Sequence, residues 1–340
     1  MESEAELGDG HLSDEIGIRR RSASISDDYS VQKTNDDATE CKYIASKLNY
    51  FNDTFIHHFI LTGESNLRRD PEISRGYWAR VTAIKAIVDA FVKFQSYSGR
   101  CQVISIGAGF DTLYWRLRKE GKQFHRYVEV DFSSVTAKKI RQIKKAGPTD
   151  LAALFCEEPK EAEHSDLHAG DYHLIGADLR QLNEFKGKLE RCSLDSDIPT
   201  LCIAECVLVY MGMDESHALL SALITWFKTI FFLNYEQVNI NDTFGKVMVS
   251  NLNYRGIILP GLHTCESLNT QRMRFLSSGW VTVVAKTMRE IYDHDIPPSY
   301  IERIEKLELL DEKILLSQLL EHYCFVIASN SDHVLSFDWQ

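Results

Sequence analysis

Several short apolar runs in this chain end in groups that could hold a polar ligand. Val103 to Ile106 leads into Gly107, Gly109 and Asp111, Arg126 to Val130 carries Glu129 and meets Asp131, and Tyr172 to Ala177 meets Asp178 and Leu179. Pro199 to Ala204 meets Glu205, and Thr229 to Leu233 leads to Tyr235 and Glu236. Open α/β sheets bind ligands outside the carboxyl ends of their strands, so these tips are where chemistry belongs. Carboxylates gathered there repel one another unless cationic ligand atoms or bases satisfy them. The two glycines let the backbone turn tightly under a ligand, and Asp111-Thr112 can cap the helix that follows. Glu129 and Asp131 lie 22 and 24 residues after Gly107, where an acidic side chain would accept from ribose hydroxyls. A dinucleotide fingerprint needs a further glycine where this chain has Thr112, and Asp111 in the turn would repel a pyrophosphate. S-adenosylmethionine has a ribose and cationic amino and sulfonium groups but no phosphate, and suits an acidic turn better. A nicotinamide cofactor, or a glycine turn with no ligand, stays open on these residues alone.

The elements that must position these tips follow from periodicity. Helices are predicted around Ser134 to Lys144, Leu182 to Leu189 and Asp214 to Phe227, between the strands. This alternation predicts a mainly parallel sheet covered by helices on both faces. The last third adds a helix-and-loop region from Asp242 to Ser278, a strand at Trp280 to Ala285, helices across Asp293 to Leu320 and a strand at His322 to Ala328. The two late strands suit an antiparallel edge. Residues 1–37 are polar and aperiodic and are predicted to be a disordered tail. Within it Arg19-Arg20-Arg21-Ser22-Ala23-Ser24 reads either as a site for a basophilic kinase or as a solvated stretch. Helical spacing across residues 38–97, broken at Asp70-Pro71, makes a helical preamble. The acidic insert from Pro148 to His168 is predicted to be a surface excursion, and one domain is expected over residues 38–335.

Composition narrows the function. The 340 residues carry 38 Lys and Arg against 49 Asp and Glu, a formal net charge of −11, so no global field draws the chain to nucleic acid or an anionic membrane. The longest apolar runs are of strand length, and Glu-Ser-Glu-Ala-Glu after Met1 is unlike a secretory leader. None of the 8 cysteines forms a Cys-x-x-Cys pair; Cys202 and Cys206 are expected as reduced core thiols on one strand. The 12 histidines show no zinc spacing, and His57-His58 reads as a helix-surface pair. A cytoplasmic, metal-free protein is expected, and a monomer, since no heptad run asks for a partner.

Taken in order, Arg75-Gly-Tyr-Trp-Ala-Arg80, Ile106-Gly-Ala-Gly-Phe-Asp-Thr112, Val128-Glu-Val-Asp131, Ile175-Gly-Ala-Asp-Leu-Arg180, Ala204-Glu-Cys-Val-Leu-Val-Tyr210 and Asn234-Tyr-Glu-Gln237 resemble the leucine carboxyl methyltransferase family over roughly residues 40–330. The resemblance implies a class I S-adenosylmethionine-dependent methyltransferase fold, Rossmann-like, with an N-terminal helical lid and a lid or substrate insertion around residues 240–280. It implies methyl transfer to the C-terminal leucine α-carboxylate of the protein phosphatase 2A catalytic subunit. It further implies that Arg80, with Lys42 nearby, binds the cofactor carboxylate, Gly107 the methionine moiety, Asp131 the ribose, Asp178 and Leu179 the adenine region and Glu205 the amino group, with Gly109 also against the cofactor. Glu129 becomes the doubtful member of its pair, an ordinary strand residue. A related enzyme of wybutosine synthesis carries an appended β-propeller, which is not expected here.

A terminal carboxylate is ionised at pH 7, so its attack on a sulfonium methyl needs placement rather than a general base. Lys42, Arg80 and Tyr210 are the candidates beside the reacting groups, with Tyr235 and Gln237 able to hydrogen-bond the tail. A bidentate guanidinium clamp on both reacting oxygens would oppose the reaction, which assigns Arg80 to the cofactor. Peptide specificity is expected from the helical preamble and from Asn251 to Leu268. The rival readings are a methyltransferase of a small metabolite and a non-catalytic phosphatase-binding chaperone.

Overall fold

The computed structural model describes residues 10–60, 68–94 and 100–339, with side chains described from residue 29 onward. Strands β1 (Gln102–Ile106), β2 (Arg126–Asp131), β3 (Lys160–Ala162), β4 (Asp166–Ala169), β5 (Tyr172–Gly176), β6 (Thr200–Glu205), β7 (Ile230–Gln237), β8 (Thr282–Thr287) and β9 (Tyr323–Ser329) form one sheet in the order β3-β4-β5-β2-β1-β6-β7-β9-β8. The five central strands β5, β2, β1, β6 and β7 are parallel, and both ends are antiparallel. From β1 the chain winds outward to β2 and β5, then returns to the other side of β1 with β6. That reversal opens a crevice between the carboxyl ends of β1 and β6.

All five residues of β1 are buried, as expected for a parallel strand covered on both faces. Its side chains alternate: Val103 joins a core with Phe91 and Trp115, while Ile104 and Ile106 join a second core with Phe185 and Leu219. The first core lies under α1 (Gly10–Lys47), α2 (Pro71–Phe94), α3 (Leu113–Lys119) and α4 (Ser133–Ala146); the second lies under α5 (Leu182–Arg191), α6 (Met213–Trp226) and α8 (Leu268–Leu276), with α7 (Thr243–Tyr254) between β7 and α8 in the chain.

Three expectations differ from the structure. Helix α1 begins at Gly10, inside the segment predicted to be disordered, and its residues 29–37 are largely half-buried. Their order comes from packing against the crevice, which local periodicity does not record. The side chains of Arg19 to Ser24 lie outside the described residues, so the kinase-site reading has no structural counterpart. The acidic insert is not only a surface excursion: it supplies β3 and β4, and Asp166 turns inward to accept from Gly176 N at 2.8 Å and Lys188 Nζ at 3.1 Å. Finally, Cys206 lies beyond β6 rather than within it, with a φ of 57°.

Beside this insert, His168 Nδ1 and His173 Nδ1 are 2.7 Å apart and share one proton. Burial, and then the charge of His168 beside it, depress His173 from 6.5 to about 3. A histidine held neutral in the folded chain but free to protonate when unfolded makes folding less favourable as pH falls below the unfolded value. Stability at this site is therefore complete above about pH 6.5 and declines toward about pH 3, by at most about 1.4 kcal/mol per pH unit. Urea unfolding between pH 7 and pH 4.5 should show a shallower loss in His173→Phe than in the wild type; equal slopes would contradict the assignment.

Candidate active site

The crevice is a cavity of about 330 Å³ whose wall combines strand tips with the N-terminal helices. Lys42 from α1, Arg80 from α2, Gly107 and Gly109 after β1, Asp131 at the end of β2, Asp178 and Leu179 after β5, Glu205 at the end of β6, Tyr210 and Gln237 all line it. Tyr235 does not. It is buried behind the wall, its ring 4.6 Å from the Arg80 guanidinium and stacked on Tyr323 at 5.2 Å, and it faces a neighbouring cavity of about 600 Å³.

Charge is organised around Glu205. Its Oε2 accepts from Arg80 Nε at 2.6 Å and from Lys42 Nζ at 3.4 Å, and Lys42 also reaches Asp111 Oδ1 at 3.0 Å. Burial would raise the Asp111 carboxyl, but Lys42, Arg116 and Lys139 outweigh it and hold Asp111 well below the usual carboxylate range. Burial also opposes the charge on Arg80, yet the Glu205 carboxylate keeps its guanidinium firmly protonated. Asp111 serves the backbone as well. Its Oδ2 accepts from Leu113 N at 3.2 Å and caps the start of α3, while Thr112 donates instead to the buried Asp53 at 2.5 Å.

Asp131 is built into the turn. Its Oδ2 accepts from Gly109 N and its Oδ1 from Phe132 N, each at 2.7 Å; these bonds counter only part of the burial effect, which leaves its carboxyl raised. Each oxygen keeps a lone pair for a ligand hydroxyl. Glu129 points elsewhere: it is fully buried, paired with Lys139 Nζ and Tyr172 Oη at 2.6 Å each, and is a core residue. Asp178 is gripped by Arg180, with Nε to Oδ1 and Nη2 to Oδ2 both at 2.9 Å.

The glycine turn is closed to side chains. Gly107 has φ +60°, and a Cβ there would lie 2.4 Å from Val207 Cγ2. Gly109 has φ +51°, and its Cβ would lie 2.3 Å from Asn35 Oδ1, which already accepts from Phe110 N at 2.7 Å. Bare backbone, a diol-accepting carboxylate at one end and paired cations and a carboxylate at the other fit the ribose, carboxylate and ammonium of S-adenosylmethionine.

Sequence reasoning missed several lining residues. Thr34 and Asn35 come from the segment predicted to be a tail, Tyr323 from the last strand, and Met248, Leu252 and Arg255 from α7 and its end. Only the α7 group had a signal, its place in the region expected to cover the site. Away from the crevice, His168, His173 and Cys192 bring possible ligand atoms within 4.8 Å of one another, as do His57, His58 and Asp150. Neither group has a spacing that marks it in sequence. Among the described residues no helix is long and apolar enough to cross a membrane.

Gly107→Ala is expected to weaken S-adenosylmethionine binding by roughly tenfold or more, because the new methyl must push into Val207 from a strained φ. Gly121→Ala also has positive φ, +81°, but meets nothing within 4 Å, and should leave affinity unchanged. Calorimetric titration of both variants separates close approach at the turn from backbone strain alone.

A sequence model of the leucine carboxyl methyltransferase family matches residues 30–224. Leucine carboxyl methyltransferase 1 of Caenorhabditis elegans is 51% identical over 333 residues, 96% of this chain and 99% of that protein. The rat protein of the same name is 41% identical over 91% of this chain and 92% of its own length. A methyltransferase structure from Thermobifida fusca, 12% identical, superposes with a TM-score of 0.51 over 85% of this chain and 93% of that one. The fold is that of the class I S-adenosylmethionine-dependent methyltransferases, and S-adenosylmethionine is the cofactor. With the family's match spanning β1 to α6 and the crevice between them, the chain belongs to the leucine carboxyl methyltransferase family.

Proposed function

We propose that this protein methylates the α-carboxylate of the C-terminal leucine of the protein phosphatase 2A catalytic subunit. The observation that carries this reading is that the acid–base groups of the crevice are already committed. Among the described lining residues, Asp37 is paired with Arg255, Asp111 with Lys42, Asp178 with Arg180, Glu205 with Lys42 and Arg80, and Asp131 holds two backbone N–H groups. Burial pushes the Cys206 thiol up to about 12 and holds the Tyr210 and Tyr323 phenols protonated. An acceptor that must lose a proton finds no base poised for it near neutral pH. An α-carboxylate arrives ionised, since its ordinary pKa is about 3.5.

S-adenosylmethionine supplies, when bound, a methyl group made electrophilic by the sulfonium that holds it. The residues of the chain place and shield. Arg80 and Lys42 hold the cofactor carboxylate, Glu205 its ammonium, Asp131 the ribose, the Gly107 and Gly109 backbone the methionine moiety, and Asp178 and Leu179 the adenine region. Arg80, fixed by Glu205 and backed by Tyr235, is kept from clamping both acceptor oxygens. Lys42 steers the incoming carboxylate, and Tyr210 and Gln237 donate to the peptide end. The acceptor approaches through the neighbouring cavity, which shares Asp37, Tyr77, Arg80, Arg255 and Tyr323 with the crevice and adds Arg68, Arg69 and Asp70. Four guanidinium groups against two carboxylates leave this wall locally positive on a protein of net charge −11.

Incubation with labelled S-adenosylmethionine and the phosphatase 2A catalytic subunit should give base-labile methyl incorporation, lost when the subunit lacks its terminal leucine. Incorporation into both forms, or into neither despite cofactor binding, would move the acceptor to another group or molecule. The dependence of kcat/KM on pH should show no ascending limb between about pH 5.5 and pH 8, because the nucleophile is ionised throughout. A limb near neutrality would reveal a general base and contradict the mechanism. Lys42→Glu adds a third carboxylate beside Asp111 and Glu205 and should lower kcat/KM by roughly a hundredfold; unchanged turnover would remove Lys42 from the site.

A further inference from the structure

The residues between Glu205 and Met211 connect the cofactor end of the crevice to its acceptor end, and they are held in an unfavourable shape. Cys206 carries a non-glycine φ of 57°, secured by its N–H to Tyr235 O at 2.7 Å, and Leu208–Tyr210 then forms a single 3₁₀ turn. Val207, Tyr210 and Met211 line the crevice, while Leu208 and Val209 are fully buried beneath it. What fixes this turn lies behind it. Glu236, fully buried on β7, accepts from Val209 N through Oε1 at 2.5 Å. Its Oε2 accepts from Gln271 Nε2 at 3.1 Å and is paired with Arg274, both on α8. Arg274 also donates to Thr264 Oγ1 and, at 3.4 Å, to Gly261 O, and Gly261 N donates to Val209 O at 2.9 Å. Both backbone polar groups of Val209 are thus tied into one buried network. A Cβ on Gly261 would lie 2.9 Å from the carbonyl oxygens of both Leu208 and Met211.

We propose that Glu236 is a positioning residue for the acceptor: through its bond to Val209 N, with Arg274 and Gln271 holding its carboxylate, it sets where Tyr210 and Met211 stand against the incoming carboxylate. This rests on the function proposed above. A buried ion pair is not needed for stability and can often be replaced by apolar side chains, so a pair serving only as core filler should be exchangeable without a selective effect on one substrate. Positioning predicts selectivity: the acceptor interaction changes while the cofactor's does not.

Two double variants make the distinction. Glu236→Gln with Arg274→Met removes the charges but keeps an oxygen for Val209 N; Glu236→Leu with Arg274→Met removes the acceptor as well and leaves that N–H unpaired. The first should hold the acceptor KM within about twofold of wild type, and the second should raise it roughly tenfold, the scale set by one buried hydrogen bond. Calorimetric affinity for S-adenosylmethionine should stay within about twofold in both. Equal acceptor KM values in the two variants, or cofactor affinity falling in step with KM, would overturn the proposal. Gly261→Ala presses on the same turn from its other side while leaving the Glu236 and Arg274 side chains unchanged, and decides the matter if the second variant does not fold. A raised acceptor KM with intact cofactor binding supports positioning; an unchanged KM overturns it. The wild type is assayed alongside: no turnover on the phosphatase tail overturns the functional reading and this inference with it, whereas turnover with unaltered variants overturns the inference alone.

Discussion

Two cations from the N-terminal helices neutralise the carboxyl ends of the central strands, and the rest of the site depends on them. Glu205 and Asp111 have side chains only 13% and 10% exposed, a placement that would be costly for two carboxylates without partners. Lys42 bridges both, and Arg80 completes the set. Removing one member of such a buried group leaves an uncompensated charge, so α1 and α2 are obligatory parts of the crevice. The same pairing explains how an acidic protein keeps a centre able to receive a carboxylate.

The wall of the crevice has two mechanical grades. The strand side is rigid: continuously buried strands, a carboxylate knitted into the glycine turn, and a left-handed residue held by a backbone bond. The side formed by α1 and α7 is tied by polar contacts nearer to solvent. Asp37 pairs with Arg255 at side chains about half exposed, and Gln32 accepts from the exposed Ser134 hydroxyl. Exposed pairs contribute little net stability, and partly exposed segments open at lower cost than cores. On the proposed function, this asymmetry gives placement from the rigid side and access from the weaker one.

On the proposed function, methyl transfer to a carboxylate also changes what the surroundings must supply. Because the nucleophile carries its own charge, the groups around it are best left inert, and the protonated thiol and phenols beside the committed carboxylates satisfy that condition. The chemistry is then carried by geometry, for which a buried network behind the reacting surface matters as much as the surface itself.

Much of this was legible in the residue order. Alternating strand and helix patterns, the Gly107-Ala-Gly109 turn and acidic strand tips are local features, and a parallel sheet has few ways to arrange them; the central strands, the crevice and most of its carboxylates follow. What stayed hidden depended on contacts distant in the chain. Glu129 and Asp131 look equivalent two residues apart, yet the sheet's register turns one onto Lys139 and Tyr172 in the core and leaves the other at the tip. Asn35 belongs to a polar segment without periodicity, and becomes part of the wall only because Phe110 N, 75 residues later, meets its amide oxygen. Tyr235 joins Arg80 and Tyr323 instead of the crevice because β9 pairs alongside β7. Residue types and short-range spacing were enough to favour a sulfonium cofactor over a dinucleotide and to lay out the layered sheet, since these rest on local backbone geometry and charge. Which carboxylate meets which cation, and which helix closes the site, were decided only in the folded chain, because those pairings are set by register and packing between segments that have no sequence relation to one another.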